Sequence, residues 1–340
     1  MPYSNSSSLP RAKKSALSVL ALLGLVVGSG CTTASLDDLA PSTAISPKLA
    51  REVKAKGFRE QDAVLVRIFK EESELEVWKK KASGQYALFK TYPICRWSGK
   101  LGPKKKNGDR QAPEGFYQVS TGMLNPKSQY YLSFNLGYPN RLEDALGYSG
   151  EALMVHGACS SSGCYAMSDQ GVSEIYALAN KALRSGQQQF QVQAYPFRMS
   201  TANMSRHTGD PNMAFWRDLK VGYDSFGRTK QELKISTCGG RYVVNKNFPS
   251  GEPTDPLAAC PADINQTDSS LLTASTTQEH KTPEVVTSYA SAYADGGMHS
   301  SFRQQLKDLG AKRMAARVST IKYPISRPEA ALSDPFERHD

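Results

Sequence analysis

His156 and Cys164 bracket a run of small residues, Gly157-Ala158-Cys159-Ser160-Ser161-Ser162-Gly163. A thiol attacks a carbonyl only as its thiolate, so a nucleophilic cysteine needs a base within reach, and a helix N-terminus assists further. The segment offers both. Leu153 to His156 reads as a strand ending on the base, and Cys164 stands just before an expected helix. Gly163 removes bulk beside the thiol. The successive N–H groups of Ser162, Gly163 and Cys164 are placed to meet the oxyanion that forms when a carbonyl is attacked. The chemistry implied is acyl transfer through a thioester.

Of the five histidines, His280, His299 and His339 fall in a polar C-terminal stretch, and His207 lies among polar residues ahead of Gly209-Asp210-Pro211. His156 is the better base. A zinc site from His156, Cys159 and Cys164 lacks a fourth ligand and the spacing of a finger or ribbon, so no metal is expected. Cys159 reads instead as a structural residue or disulfide partner.

Several elements must position this segment. Ala63–Phe69, Leu75–Trp78 and Tyr86–Ile94 are apolar or alternating runs separated by turn signals, which predicts three strands in meander order. Further strands are expected at Phe116–Ser120, Tyr130–Phe134, Leu153–His156 and Phe190–Tyr195, with a closing hairpin around Gly239-Gly240. Helical spacing from Val172 to Leu183 follows a Ser168 or Asp169 cap. A second helix carrying Phe215, Trp216, Leu219 and Tyr223 follows Asp210-Pro211. The fold expected is mainly β with a few helices.

The chain has 340 residues and a formal charge of +10, of which Arg11, Lys13 and Lys14 precede an apolar run from Ala16 to Val27. That run is short for a membrane span and has the order of an export signal. It ends at Gly28-Ser29-Gly30-Cys31, which resembles the cleavage box of bacterial lipoproteins, although Gly28 stands where Leu is usual. No long Lys/Arg run is interleaved with aromatics, so nucleic acid is not suggested. The organisation expected is a leader over 1–30, a flexible tether over 31–57, a catalytic domain over 58–247 and a mostly disordered tail over 248–340. A weak helix is expected within that tail from about Ser301 to Arg317. Beyond Cys31 five cysteines remain, an odd number. If Cys164 is the free thiol, Cys95, Cys159, Cys238 and Cys260 allow three pairings.

His156-Gly157-Ala158-Cys159-Ser160-Ser161-Ser162-Gly163-Cys164-Tyr165-Ala166-Met167 resembles the L,D-transpeptidase catalytic domain, and more closely its murein lipoprotein subfamily. The resemblance runs from about Ala63 to Val244 and includes Val66 to Ser73, Phe89 to Cys95, Trp97-Ser98-Gly99, Gly108 to Tyr117, Tyr130 to Asn135 and Tyr195 to Met199. It implies a β-sandwich or barrel-like fold, Cys164 as nucleophile, His156 as base, Gly163 and Cys164 in the oxyanion hole, and no cofactor. It also implies peptidoglycan stem peptides as partners, acylated at the L-centre of diaminopimelate, with roles in wall biogenesis and cell shape. Ser162 stands where the wider family has histidine before Gly-Cys, and the gap from His156 to Cys164 is shorter than the common one. An amine acceptor would make the protein a transpeptidase, and water would make it a murein amidase or endopeptidase. A catalytically silent wall-binding lipoprotein is the alternative of another class. Arg110, Tyr130, Tyr131 and Arg198 are candidate substrate contacts, since an arginine fork suits a carboxylate.

The leader predicts a periplasmic, outer-membrane lipoprotein anchored through Cys31, with Thr32 after it. Labelled fatty acid should enter the full-length protein in cells and not its Cys31→Ser variant. Equal labelling of the two would remove the anchor.

Overall fold

The computed structural model describes residues 43–261 and 297–319. The expected leader, Cys31, and most of the tether and tail lie outside the described residues.

The described chain starts with a helix where a tether is expected. Ser46 accepts a hydrogen bond from the Leu49 amide at 3.2 Å and Pro47 opens α1 (Pro47–Ala55). Leu49 and Val53, four residues apart, are buried on one face and join the core. Residues 47–55 are therefore part of the folded body, and the Ser/Pro-rich composition concealed a cap signal.

Two five-stranded sheets carry the architecture. The first runs β3 (Tyr86–Pro93), β2 (Glu74–Lys80), β1 (Val64–Phe69), β10 (Gln189–Tyr195), β5 (Gly115–Ser120). β1, β2 and β3 form the expected antiparallel meander, and β10 joins β1 in parallel. β1 is buried on every residue, as a central strand covered on both faces must be. The second sheet runs β4 (Arg96–Trp97), β9 (Tyr165–Ala166), β8 (Met154–His156), β7 (Tyr131–Asn135), β6 (Leu124–Ser128). The hairpin β11 (Ile235–Cys238) and β12 (Arg241–Val244) stands apart from both.

The helices seal this frame. α2 (Arg141–Ala145) is a short turn capped by Asn140. α3 (Asp169–Arg184), capped by Ser168, packs on β1 and β10 of one sheet and on β7 and β8 of the other. α4 (Thr201–Arg206) and α5 (Met213–Thr229) follow, with Trp216, Leu219 and Phe226 of α5 in the core. α5 begins at Met213 with Asn212 as its cap, slightly beyond the expected Asp210.

Within the polar C-terminal stretch the helix expected from about Ser301 to Arg317 is present, in two parts, and it is packed rather than loose. Residues 297–319 form α6 (Ser300–Leu309) and α7 (Ala311–Val318), divided at Gly310, where φ is +72°. Met298, Phe302, Met314 and Val318 are buried around Cys95 and Cys159. Residues 248–261 are held as well, through the Cys238–Cys260 disulfide. Sparse apolar residues in a polar background hid this packing, because four anchors suffice for two short helices on a preformed surface.

The loop between β4 and β5 has no secondary structure and is fixed from within. Lys70 is fully buried, and its ammonium donates to the carbonyls of Lys100, Gly102 and Ala112 at 2.7, 3.2 and 3.0 Å and to Glu114 Oε1 at 2.9 Å. Glu114 also accepts from the Gly102 amide at 2.7 Å and from Trp216 Nε1 at 2.8 Å. Burial pushes the Lys70 ammonium below its usual pKa, and Glu114 opposes that shift. Lys70→Met should strand Glu114 as an unpaired buried charge and cost about 3–5 kcal/mol in urea unfolding. Lys70→Met with Glu114→Gln should recover part of the loss. A double variant no better than the single would show that the pair is not the source.

Candidate active site

β8 and β9 run parallel, with Val155 opposite Tyr165 and His156 opposite Ala166. Continuing that register by one residue sets Cys164 opposite Met154. Alternate residues of a strand share a face, so Met154, His156, Cys164 and Ala166 lie on one face while Val155 and Tyr165 point into the core. The histidine and the thiol are thus brought to one side of neighbouring strands, offset by one pleat repeat of roughly 6.6 Å.

His156 is buried, and its Nδ1 lies 2.6 Å from the carbonyl oxygen of Gly157. Since a carbonyl only accepts, Nδ1 carries the proton and Nε2 keeps its lone pair. The ring stands against Tyr130, with centroids 4.7 Å apart. Burial pushes His156 down to about 4, against the Gly157 carbonyl and the Asp169 charge, which oppose the shift.

Cys164 is half-buried, and it is the one cysteine outside a disulfide among the described residues. Cys95 pairs with Cys159 and Cys238 with Cys260, which selects one of the three pairings left open by the sequence. Cys159 is thereby withdrawn from the zinc alternative. The Cys164 sulfur faces the carbonyl of Ala152 at 3.7 Å. Burial pushes the thiol above its usual range, while the Met154 amide and the Lys104 ammonium pull it back. The expected helix N-terminus does not act on this thiol. β9 intervenes, and α3 starts at Asp169 after its Ser168 cap.

Gly163 sits at φ +121°, a conformation that favours glycine. Its amide donates to Ser98 Oγ, 2.5 Å away, and the Cys164 amide donates to Ser161 Oγ at 3.2 Å. The two hydroxyls are themselves 3.0 Å apart, and Ser161 Oγ donates to the Cys164 carbonyl at 2.7 Å. Both amides expected to form an oxyanion hole therefore hold serine hydroxyls in this structure. Ser98 and Ser161 went unnoticed in the sequence because serine is common in loops and the 98–163 contact spans distant parts of the chain.

The candidate substrate contacts separate. Tyr130 stays beside His156. Tyr131, at φ +77°, packs partly against the core, and its Cβ lies 3.0 Å from where a Gly157 side chain would begin. Arg110 is exposed in the loop that borders Gly163. Arg198 is removed as a carboxylate receptor, because its guanidinium already binds Glu76 at 2.7 Å and Glu74 at 2.5 Å, over the Phe69 ring. His207 is also not in polar surroundings. It is buried, stacked on Phe197 with centroids 4.3 Å apart and edge-on to Trp216.

An open groove of about 600 Å³ is lined by Met123, Leu124, Ser133, Asn135, Tyr138 and Met154, among others. Ser133 pairs with His156 and Asn135 with Met154 across β7 and β8, so the groove runs over the face that carries the histidine. Ser133 Oγ is buried and has no hydrogen-bond partner among the described residues.

Residues 64–193 match the L,D-transpeptidase catalytic domain family. The chain is 48% identical over 183 residues to "Putative L,D-transpeptidase YafK" of Escherichia coli K12, spanning 54% of this chain and 74% of that protein. The protein of the same name from Escherichia coli O157:H7 matches equally. Among solved structures, the helical cell shape determining protein Pgp2 from Campylobacter jejuni (K307A mutant) is 16% identical with a TM-score of 0.32, covering 57% of this chain and 80% of its own. Bdellovibrio bacteriovorus Bd1075 is 18% identical with a TM-score of 0.29, covering 48% and 62%. Both scores are too low for either structure to bear on this chain.

The electrostatics specify how the thiol should react. His156 is neutral above about pH 4 and the thiol is protonated at neutrality, so no preformed thiolate–imidazolium pair stands at pH 7. Iodoacetamide alkylation of Cys164, followed by intact mass, should accelerate continuously from pH 6 to pH 9. A plateau already reached at pH 6 would show a preformed pair. The histidine also couples folding to pH. Its folded pKa lies below its ordinary 6.5, so the folded chain binds fewer protons between about 4 and 6.5. That stability is complete above 6.5 and is lost as pH falls through about 4.

Proposed function

This chain belongs to the L,D-transpeptidase family, and from that premise we propose that it is a cysteine acyltransferase acting on peptidoglycan stem peptides. The observation that carries the reading is the unpaired thiol of Cys164 on one sheet face with the neutral, Nδ1-anchored imidazole of His156. On this reading, Cys164 Sγ attacks the carbonyl on the L-centre of a diaminopimelate residue while its proton passes to His156 Nε2. The tetrahedral intermediate collapses, the C–N bond breaks, and the departing amine takes the proton from the imidazolium. A thioester remains on Cys164. An acceptor then attacks the thioester carbonyl, giving its proton to His156, and the thiolate leaves and is reprotonated.

An amine acceptor makes the reaction a transpeptidation, and water makes it an amidase or endopeptidase reaction. The open groove lined by Asn135 and Met154 lies along the sheet face that carries His156 and is the candidate seat for the stem peptide, with Asn135 at its wall. Tyr130 and Arg110 border the same centre as candidate contacts. The leader further supports a periplasmic enzyme held at the outer membrane by lipid on Cys31.

Cys164→Ala should reduce turnover of defined muropeptides by roughly a thousandfold or more without unfolding the protein. His156→Ala should approach the same loss, and the double variant should be no worse, because nucleophile and base act as one unit. A carbapenem should leave a covalent adduct mapped to Cys164, and product masses should separate transfer from hydrolysis. Near-normal turnover by Cys164→Ala would overturn the mechanism, and no turnover by the parent protein would favour a silent wall-binding protein.

A further inference from the structure

The C-terminal segment 297–319 converges on the loop that follows His156. Its first contacts are with the edge of the second sheet. The Trp97 amide donates to the Gly297 carbonyl at 3.0 Å, and the His299 amide donates to the Ile94 carbonyl at 3.1 Å. Gly297, at φ +66°, lies so close to the Trp97 ring that a Cβ would stand 2.1 Å from it, so this approach admits only glycine. α6 and α7 then fold back at Gly310 and enclose the Cys95–Cys159 disulfide with Met298, Phe302, Met314 and Val318. Beyond α7, Ser319 Oγ donates to Asp169 Oδ2 at 3.0 Å.

Asp169 is buried, and its other oxygen accepts from the Ala158 amide at 2.8 Å. That oxygen also lies 2.7 Å from where a Gly157 Cβ would be. Ala158 and Cys159 both adopt left-handed backbone, at φ +65° and +50°. Two successive non-glycine residues hold that conformation only where their surroundings over-determine it. Here Asp169 and the disulfide do so, and both are backed by the C-terminal segment. The loop in turn supplies the Gly157 carbonyl that fixes the His156 ring at 2.6 Å.

We infer that residues 297–319 are an intramolecular clamp that orients the His156 imidazole through the 157–159 loop, with Asp169 as the positioning residue that receives it. The inference rests on the Cys164–His156 reading and adds to it a requirement on residues well outside the matched family segment. Asp169 touches no reacting atom. It fixes the loop and places a negative charge near the imidazole, which otherwise stands against the Tyr130 ring and beside the Gly157 carbonyl.

The test uses the full-length chain with Phe302→Glu, which undocks α6, and with Ser319→Ala and Asp169→Asn, which open the polar contact. Hydrogen exchange of the Ala158 and Cys159 amides should accelerate at least about tenfold in Phe302→Glu while the β1 and β10 amides stay protected. kcat on muropeptides should fall about tenfold to a hundredfold with KM within about twofold, since misplacing a base affects the chemical step. The acid limb of the kcat/KM–pH profile, which reports His156 in the free enzyme, should move to lower pH in Asp169→Asn, because the Asp169 charge raises the histidine against its burial. If Phe302→Glu does not fold, Ser319→Ala and Asp169→Asn decide the matter by the same readouts. Unchanged exchange at 158 and 159 and an unchanged acid limb, with His156→Ala still severely impaired, would overturn the clamp alone. Near-normal turnover by His156→Ala would overturn the thiol–histidine reading, and the clamp with it.

Discussion

The ammonium of Lys70 has no access to water, and a buried charge is tolerated only when every donor is met. Three carbonyls of the 98–114 loop and one carboxylate meet it. A loop without helix or strand is therefore held as firmly as a regular element, because moving any of those carbonyls exposes the charge. This loop builds one wall of the active centre. It supplies Ser98 to the Gly163 amide, places Lys104 near the thiol, and presents the Pro113 carbonyl to the buried Tyr165 hydroxyl next to Cys164. β9, which follows Cys164 directly, is braced from the same hub that ties β1 to α5 through Trp216.

Sulfur chemistry is sorted by the same frame. Cys159 is only five residues before Cys164, yet one is locked into a disulfide to Cys95 and the other stays free. The disulfide closes a loop of 64 residues, a cross-link worth about 4 kcal/mol in the chain-entropy account. It joins the end of β3 to the turn after His156, so one bond both stabilises the fold and fixes the neighbourhood of the base. Burial then favours the neutral forms of both Cys164 and His156. A thiol held in its neutral form reacts slowly, since the thiolate is the nucleophile, and on the mechanism proposed above the thiolate would form only as a carbonyl is attacked.

Much of this was legible in the sequence where a local pattern carries the information. β1, β2, β3, β10 and α3 follow from alternation, helical spacing and the Ser168 cap, and the His156–Cys164 pair follows from residue types at a short spacing. What was missed depends on long-range partners. Arg198 looks like a carboxylate receptor until Glu74 and Glu76 arrive from more than 120 residues away. Lys70 looks solvated, since nothing local announces a buried cation. β4 and β9 have two residues each and exist only because β8 and the loop around them are in place. α1 was hidden by composition, and of the segment 297–319 the helical spacing was legible but its packing on the core was not, because a few apolar anchors among Ser, Lys and Gln do not raise the average.

The serine-bound amides of Gly163 and Cys164 suggest how the proposed resting and reacting states would share one geometry. The Gly163 and Cys164 amides are at or near the surface of a half-buried thiol pocket, and an unmet amide there would cost about 1–3 kcal/mol. Ser98 and Ser161 remove that cost by accepting from them. A neutral hydroxyl is a modest acceptor, worth about 1 kcal/mol net, while an oxyanion receives charge-assisted bonds roughly twice as strong. On the mechanism proposed above, an alkoxide forming at the attacked carbonyl would outcompete the serines for the same two donors. The displaced hydroxyls lose little, since they retain each other and the Cys164 carbonyl as partners. On this argument the serines are placeholders. They keep the donors oriented between turnovers and yield them only when the developing negative charge makes the exchange favourable.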